Sequence, residues 1–153
     1  MSLSVARALF ALIFFATVLP GFGSVRITEF LASNLRGLTD EEGNHEDWIE
    51  IYNDGIATVS LDGWYLTDNA SNLTKWRFPN TNIGPGQFIV VFASDKNRRT
   101  PGTPLHTNFK LSDNGEYLAL VQPDATTIAT QFAPSYPAQA TDVSYGFPAL
   151  QTK

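Results

Sequence analysis

Residues 47–53 have the sequence Asp47-Trp48-Ile49-Glu50-Ile51-Tyr52-Asn53, in which side chains of different character alternate. Successive side chains of a β-strand point to opposite faces, so Ile49 and Ile51 share one face, while Trp48, Glu50 and Tyr52 share the other. β-Branched and aromatic residues favour strands, and the Asn53-Asp54-Gly55 sequence is typical of a turn. The segment therefore predicts a half-buried strand with Ile49 and Ile51 in the core.

The rest of the chain after residue 24 consists of similar short apolar segments separated by Gly, Pro, Asn and Asp. In the first segment, Val25, Ile27 and Leu31 are expected to point inward. Residues 87–94 are continuously apolar, which predicts a strand in the middle of a sheet and covered on both faces. No segment repeats its apolar residues every 3.6 positions, so the sequence predicts one all-β antiparallel sandwich or barrel. The further predicted strands are residues 25–31, 59–61, 64–67, 75–78, 105–111, 116–121, 127–132 and 143–147.

The first 23 residues differ from the rest in composition. Arg7 is their only charged residue, residues 8–19 form an uncharged run, and Pro20-Gly21-Phe22-Gly23 ends it. This order is typical of a secretory signal peptide, and the run is shorter than the roughly 20 apolar residues that span a bilayer. A buried core helix and an uncleaved anchor are the alternatives. We predict a signal-peptide helix over residues 1–23, a domain over residues 24–147 and a tail over residues 148–153.

These boundaries predict a secreted or cell-surface protein that meets the membrane only through its signal peptide during export. The whole chain has a net charge of −5, and removal of residues 1–23 leaves nine basic and fifteen acidic residues. A nucleic-acid partner is not expected, because binding to phosphates needs clustered Lys and Arg. The chain has no cysteine, which excludes disulfides, cysteine zinc sites and thiol nucleophiles and is ordinary for a bacterial exported protein.

Several short motifs, taken in order, resemble the lamin tail domain family, and their order and spacing make the similarity specific. The resemblance implies an immunoglobulin-like antiparallel β-sandwich. It also implies a non-catalytic module of the kind found at the nuclear lamina of animals and in secreted or surface proteins of bacteria, and the predicted signal peptide favours the bacterial type. The motifs include Ile27-Thr28-Glu29-Phe30, Asp47-Trp48-Ile49-Glu50-Ile51-Tyr52-Asn53, Leu61-Asp62-Gly63-Trp64-Tyr65-Leu66, Trp76-Arg77-Phe78-Pro79, Gly115-Glu116-Tyr117-Leu118 and Asp142-Val143-Ser144-Tyr145-Gly146.

A loop at residues 36–47, called here the acidic loop, contains five carboxylates. Calcium binds six to eight oxygen ligands, often from flexible loops, so Asp40, Glu42 and Asp47 form a candidate calcium site. The spacing does not match an EF-hand, because Gly43 comes too early and the regular Asp and Asn positions are missing. Solvated loop charges, or carboxylates that cap turns and pair with nearby arginines, are the alternative. No other cofactor is expected.

The chain contains two histidines, His45 and His106. Neither lies in a nucleophile motif such as Gly-x-Ser-x-Gly, and two histidines alone are too few for a typical catalytic zinc site. His106 is predicted to be structural, with hydrogen bonds to a backbone carbonyl or a neighbouring strand. The sequence thus predicts no catalytic residue and no enzymatic activity.

The Trp48, Glu50 and Tyr52 face of residues 47–53 is the candidate binding face, and burial in the core is the alternative for its aromatic residues. A protein or an extracellular polysaccharide is the expected class of partner, and the oligomeric state is not predicted. The function expected is a binding or structural module. The alternative is a targeting fragment, for carbohydrate or surface attachment, of a larger secreted hydrolase. A basic loop with Lys96, Arg98 and Arg99 suggests either contact with an anionic polymer or lipid headgroup, or a solvated loop tip.

Overall fold

The computed structural model describes residues 25–147, and within this range the regular elements are eleven strands. The predicted signal-peptide helix and the predicted tail lie outside the described residues. Within them, no helix has the length and apolar character needed to cross a membrane. The strands are β1 (Val25–Leu31), β2 (Asp47–Asn53), β3 (Val59–Ser60), β4 (Tyr65–Thr67), β5 (Trp76–Arg77), β6 (Asn82–Ile83), β7 (Phe88–Ala93), β8 (Leu105–His106), β9 (Leu118–Val121), β10 (Ile128–Phe132) and β11 (Tyr145–Gly146).

The strands form two main sheets that enclose one core. The larger sheet has the order β11-β1-β2-β7-β8, and the smaller has the order β10-β9-β4-β5. All paired strands are antiparallel except β7 and β8, and β3 pairs with β6 in a separate two-stranded ribbon. The fold is therefore an immunoglobulin-like β-sandwich, as predicted. Its core residues include Ile27, Phe30, Ile49 and Ile51 from the larger sheet and Leu66, Trp76, Leu118 and Leu120 from the smaller one.

β2 is the central strand of the larger sheet and pairs with β1 on one side and β7 on the other. Ile49 and Ile51 are fully buried between the sheets. Trp48, Glu50 and Tyr52 are half-buried and share the outer face, which points away from the core. The predicted facing of this strand is thus confirmed.

β1 contains a bulge that reverses the expected facing of its second half. Ile27 pairs with Ile51, but the register then shifts between Ile27 and Glu29, so that Phe30 pairs with Ile49. An extra residue in one strand moves every later side chain to the opposite face. Phe30 is consequently a fully buried core residue, and Leu31 lies on the outer face. The prediction that Leu31 points into the core was wrong for this reason.

The two sheets are joined at a corner where β1 meets β10. The backbone N–H of Ile27 donates a hydrogen bond to the Thr130 hydroxyl, with a distance of 3.2 Å. β10 also has an irregular register, between Ile128 and Thr130, so both strands depart from regular pairing at this corner. The side chain of Thr130 thus bonds a backbone donor of the neighbouring sheet and closes this side of the sandwich.

β7 is less covered than its apolar sequence predicts. Val91, Phe92 and Ala93 are buried, whereas Phe88 is 60% exposed. The partner strand β8 pairs only with Val91 and Phe92, and the rest of predicted segment 105–111 is not strand. Extension of this parallel register would place Thr103 opposite Ile89, but the N–H of Thr103 donates to the carbonyl of Thr100 and does not continue the ladder. The prediction of a strand covered on both faces was therefore wrong for the first half of β7.

Ten of the eleven strands in the described range fall within predicted segments, although most are shorter than predicted. β6 was not predicted, because its two residues lie among Asn, Pro and Gly. Its formation depends on β3, since Val59 pairs with Ile83. A strand of two residues carries too little sequence pattern to be identified without its partner.

Candidate functional site

The acidic loop is held against the loop that follows β7 by ion pairs. The side chain of Asp40 is fully buried, and its Oδ1 accepts the backbone N–H groups of Glu42 and Asn44, each at 2.9 Å. The ammonium of Lys96 forms ion pairs with Asp40, with Glu42 at 3.0 Å and with Glu46 at 3.3 Å. A single lysine thus joins three carboxylates that lie at least fifty residues earlier in the chain.

Arg98 makes a second connection between the same two loops. Its guanidinium contacts the Glu41 carboxylate at 2.5 Å and also the Glu42 carboxylate. The positive charges of Lys96 and Arg98 are therefore paired with carboxylates of the acidic loop within the protein. The interpretation of Lys96, Arg98 and Arg99 as a patch free to meet an anionic polymer is consequently wrong for two of the three residues.

His106 lies beneath these ion pairs and is fully buried. Its Nε2 atom is 2.9 Å from Oε2 of Glu41, and its Nδ1 atom is 2.8 Å from the Ser94 hydroxyl. The imidazole also stacks on the Phe92 ring, with centroids 5.2 Å apart. The predicted structural role of His106 agrees with these contacts, although its partners are side chains rather than backbone carbonyls.

A hydroxyl, an imidazole and a carboxylate in this order also occur in serine hydrolases, where the hydroxyl attacks the substrate. Here the Ser94 side chain belongs to a residue that is only 5% exposed, at the end of a buried strand segment. A nucleophile must reach a substrate carbonyl, and a buried hydroxyl does not meet that requirement. The chain of hydrogen bonds instead fastens the acidic loop to the edge of the larger sheet.

The contacts shift the pKa values of the carboxylates in the acidic loop. The hydrogen bond from His106 is the main cause that lowers the pKa of Glu41 to about 2. Burial alone would raise the pKa of Asp40, but hydrogen bonds from Lys96 and from the N–H groups of Asn44 and Glu42 outweigh it and hold this pKa well below its usual range. These carboxylates are therefore ionised at neutral pH, as their ion pairs require.

Asp47 lies in a different environment from the other predicted calcium ligands. Burial raises the pKa of Asp47 to about 6, against the opposing effect of backbone hydrogen bonds from Asn34 and Leu111. Asp40 and Glu42, by contrast, share the ammonium of Lys96. The structure thus brings two of the three predicted ligands together and gives the third other partners.

Two residues of the acidic loop and the buried His106 form a second group of side chains that could bind a metal ion. Ligand atoms of Asp40, Glu41 and His106 lie within 4.8 Å of one another. The positive charge next to Asp40 and Glu42 is already supplied by Lys96, so a calcium ion would have to displace an ammonium. Calcium binding stays a prediction. A rise in melting temperature in millimolar calcium would support it, and an unchanged melting temperature would remove it.

The candidate binding face is part of the outer face of the larger sheet, where residues of adjacent strands form three rows. Because the strands are registered, each row contains side chains that are neighbours across the sheet. One end row is mostly aromatic, the middle row contains two carboxylates, and the other end row is apolar apart from a histidine. The rows are Arg26, Tyr52 and Phe88; Glu29, Glu50 and Val90; and Leu31, Trp48, Phe92 and His106.

The two ends of this face differ in exposure. At the Trp48 end, Leu31 and Phe92 are buried, and Glu41 of the acidic loop bonds to His106 beside them. At the Tyr52 end, Phe88 is exposed and Arg26 forms a 3.3 Å ion pair with Asp54. The acidic loop thus covers one end of the face and leaves the Tyr52 and Phe88 end open. Sequence reasoning missed Phe88, because residues 87–94 were expected to be buried throughout.

Glu50 lies between these two ends. Its Oε1 accepts a hydrogen bond from the hydroxyl of Thr28, the bulged residue of β1. The neighbouring Glu29 accepts one from the Ser144 hydroxyl. The outer face thus presents two adjacent carboxylates that are both oriented by hydroxyl groups, next to the open aromatic end.

The model of the Lamin Tail Domain family matches residues 20–133 of the chain. No characterised protein and no solved structure matches the chain significantly. β11 lies beyond the matched residues, yet it pairs with β1 and completes the larger sheet. Members of this family are non-enzymatic immunoglobulin-like domains, and the sandwich and its buried histidine network agree with that description. From its sequence match and its fold, this chain belongs to the lamin tail domain family.

Proposed function

We propose that the protein is a secreted or cell-surface binding module and that its ligand contacts the open end of the outer face, through Glu50, Tyr52 and Phe88. The predicted signal peptide supports export. The family supports a non-catalytic role. The candidate face predicted from Trp48, Glu50 and Tyr52 is therefore retained, with its centre moved away from Trp48 and toward Phe88.

The exposure of Phe88 is the observation that carries this proposal. Its side chain lies on a paired strand of a regular sheet, where its neighbour across the sheet is Tyr52, and it is 60% exposed. An aromatic side chain in water forgoes the free energy that its burial would provide. An exposed aromatic residue next to a half-buried one on a rigid sheet offers an apolar surface that a ligand can cover.

The charges of the face favour a neutral or positively charged polysaccharide. Glu29 and Glu50 are adjacent carboxylates, and Arg26 is the basic residue in the neighbouring row. Sugar hydroxyl groups donate hydrogen bonds to carboxylates, and the apolar faces of sugar rings pack on aromatic rings. The negative charge of the whole chain opposes an acidic polymer.

Binding of the purified protein to insoluble chitin, cellulose and peptidoglycan, together with a glycan array, tests this proposal. Phe88→Ala and Tyr52→Ala should each weaken binding by about tenfold or more without loss of the folded state. The matched control is Ile56→Ala, because Ile56 is an apolar residue that is 83% exposed and belongs to the loop between β2 and β3 rather than to a strand of the sheet. If Ile56→Ala weakens binding as much as Phe88→Ala, or if no glycan binds, the proposed polysaccharide function fails.

The runner-up is that the same surface attaches a larger secreted hydrolase to its substrate or to the cell. The aromatic pair of Tyr52 and Phe88 suits attachment to an insoluble polymer as well as it suits a stand-alone module. An open reading frame that continues past Lys153 into a hydrolase would favour this alternative. A stop codon at that position would favour the stand-alone module.

A further inference from the structure

β7 has one edge that is only partly paired. Along its whole length it pairs with β2, from Phe88 opposite Tyr52 to Ala93 opposite Asp47. On its other side it pairs with β8 only at Val91 and Phe92. The first three residues of β7 therefore form an open edge within the described part of the chain, and Phe88–Val90 is called the β7 edge below.

The direction of each backbone group on β7 follows from two hydrogen bonds. The N–H of Asn53 on β2 donates to the carbonyl of Gln87. The backbone N–H and C=O groups of odd-numbered residues in this stretch therefore point to β2. The N–H of Thr107 donates to the carbonyl of Phe92, so the backbone N–H and C=O groups of even-numbered residues of β7 point to the β8 side. The N–H of Val90 and both backbone groups of Phe88 consequently point to the open side. None of these three groups has a hydrogen-bond partner among residues 25–147.

The gap follows from the course of the segment before β8. The N–H of Thr107 donates to the carbonyl of Phe92, so the backbone groups of Thr107, Leu105 and, in the continued register, Thr103 would face β7. The N–H of Thr103 would then donate to the carbonyl of Phe88, but it donates instead to the carbonyl of Thr100, at 3.3 Å. β8 therefore stops short of the β7 edge.

A cavity of about 300 Å³ lies beside this edge. Ile89, Val90 and Leu105 provide apolar walls, and Thr81 and Thr103 provide hydroxyl groups. The volume is at the lower limit of ligand-binding pockets and suits one or two side chains rather than a large cofactor. The cavity and the open backbone groups are adjacent, because Val90 belongs to both.

We propose that the β7 edge binds an extended peptide segment of a partner protein by strand addition, with an apolar side chain of that segment in the adjacent cavity. Backbone donors and acceptors at strand spacing are matched by the backbone of another strand. A sugar does not present donors and acceptors at that spacing. The ring of Phe88 lies at the end of the edge, where it offers an apolar contact to the added strand.

This site differs from the one in the proposed function, which uses side chains on the outer face rather than a strand edge.

The probe is a library of random twelve-residue peptides displayed on phage and selected on the whole protein, followed by synthesis of the selected peptides. Selected peptides should alternate apolar and polar residues. Their binding should slow hydrogen exchange of the Val90 amide, which strand addition requires to be hydrogen-bonded.

Thr103→Trp is the test variant, because residue 103 is exposed and a tryptophan there would fill the cavity. It should weaken binding of the selected peptides by about tenfold or more. The matched control is Thr126→Trp, at an exposed position in the turn between β9 and β10, and it should leave binding unchanged. Val90→Pro, which removes the open N–H, should have the same effect as Thr103→Trp.

Three results would overturn strand addition: no peptide is selected, the selected peptides bind Thr103→Trp as well as the unchanged protein, or the Val90 amide is not protected in the complex. Tyr52→Ala separates this proposal from the polysaccharide function. It should weaken polysaccharide binding by about tenfold or more and leave peptide binding intact, so failure of either proposal is visible independently of the other.

Discussion

The Nε2 atom of His106 lies 2.9 Å from Oε2 of Glu41, although the two residues are 65 positions apart in the sequence. His106 is on the edge strand β8, and Glu41 is in the acidic loop. The other ring nitrogen of His106 bonds to Ser94, at the end of β7. One buried imidazole therefore fastens the acidic loop to two strands of the larger sheet and keeps it over the Trp48 end of the outer face.

Replacement of His106 by alanine should lower the free energy of unfolding by about 2–4 kcal/mol, because it leaves a cavity and removes the partners of Ser94 and Glu41. His45→Ala is the matched control, because His45 is the other histidine of the chain and is exposed. It should change the free energy by less than about 0.5 kcal/mol. Denaturation in urea measures both values. Equal effects of the two substitutions would show that the His106 network does not stabilise the fold.

Asp47→Asn should change how stability depends on pH. An unfolded Asp has a pKa near 3.9, and burial raises that of folded Asp47 to about 6. The folded state thus holds this proton more tightly, so the stability contribution of Asp47 is complete below about pH 4 and is lost as the pH rises through about 6. Because Asp47 is only partly buried, the loss is about 1–2 kcal/mol.

Urea denaturation between about pH 4 and pH 7 measures this effect, which should be present in the unchanged protein and absent in Asp47→Asn. Glu41 acts in the opposite direction, because its pKa is lowered to about 2 and its contribution is lost as the pH falls toward that value. The two effects therefore occupy different pH ranges. The same pH dependence in both proteins would contradict the raised pKa of Asp47.

Gly115→Ala should destabilise the fold much more than Gly43→Ala. Both glycines have a positive φ, of 90° and 82°. An added Cβ at Gly115 would lie 2.2 Å from the carbonyl oxygen of Tyr136, whereas nothing lies within 4 Å of one at Gly43. Gly43→Ala should therefore cost about 1 kcal/mol for its backbone conformation alone, and Gly115→Ala more than about 3 kcal/mol. Similar melting temperatures for the two variants would contradict this packing.

The facing of β2 is tested by substitutions at two adjacent residues. Ile51→Asp should prevent folding, because Ile51 is fully buried and an unpaired charge there has no compensation. Glu50→Gln should stay within about 0.5 kcal/mol of the unchanged protein, because a glutamine oxygen can still accept the hydrogen bond from Thr28. Circular dichroism and thermal denaturation measure both. A stable Ile51→Asp variant would overturn the assigned faces.

Much of the fold was predictable, because strand alternation is a local property. The alternation of residues 47–53 was enough to place Ile49 and Ile51 in the core, and the turn residues were enough to separate ten strands from one another. The bulge in β1 was not predicted. Apolar and polar residues alternate from Val25 to Thr28, and Glu29 then follows as a second polar residue. This break in the pattern does not by itself give the register, which is set by the pairing of Phe30 with Ile49 of β2.

The candidate site was predicted only in part. The acidic loop and the Trp48, Glu50 and Tyr52 face were both identified, because clustered carboxylates and alternating aromatic residues are visible in the sequence. Their relationship was not visible. It depends on Lys96, Arg98 and His106, which lie at least fifty residues after the carboxylates that they contact and approach them only when β7 and β8 join the sheet.

The sequence by itself determined the all-β class, the family and the buried face of β2, because each of these depends on residue order within short segments or on their spacing. Tertiary structure alone decided which end of the outer face is open and which edge of β7 is unpaired. Both depend on contacts between segments that are distant in the sequence. His106 and Lys96 hold the acidic loop at the Trp48 end, and β8 begins only at Leu105, which leaves the Phe88 end of β7 uncovered.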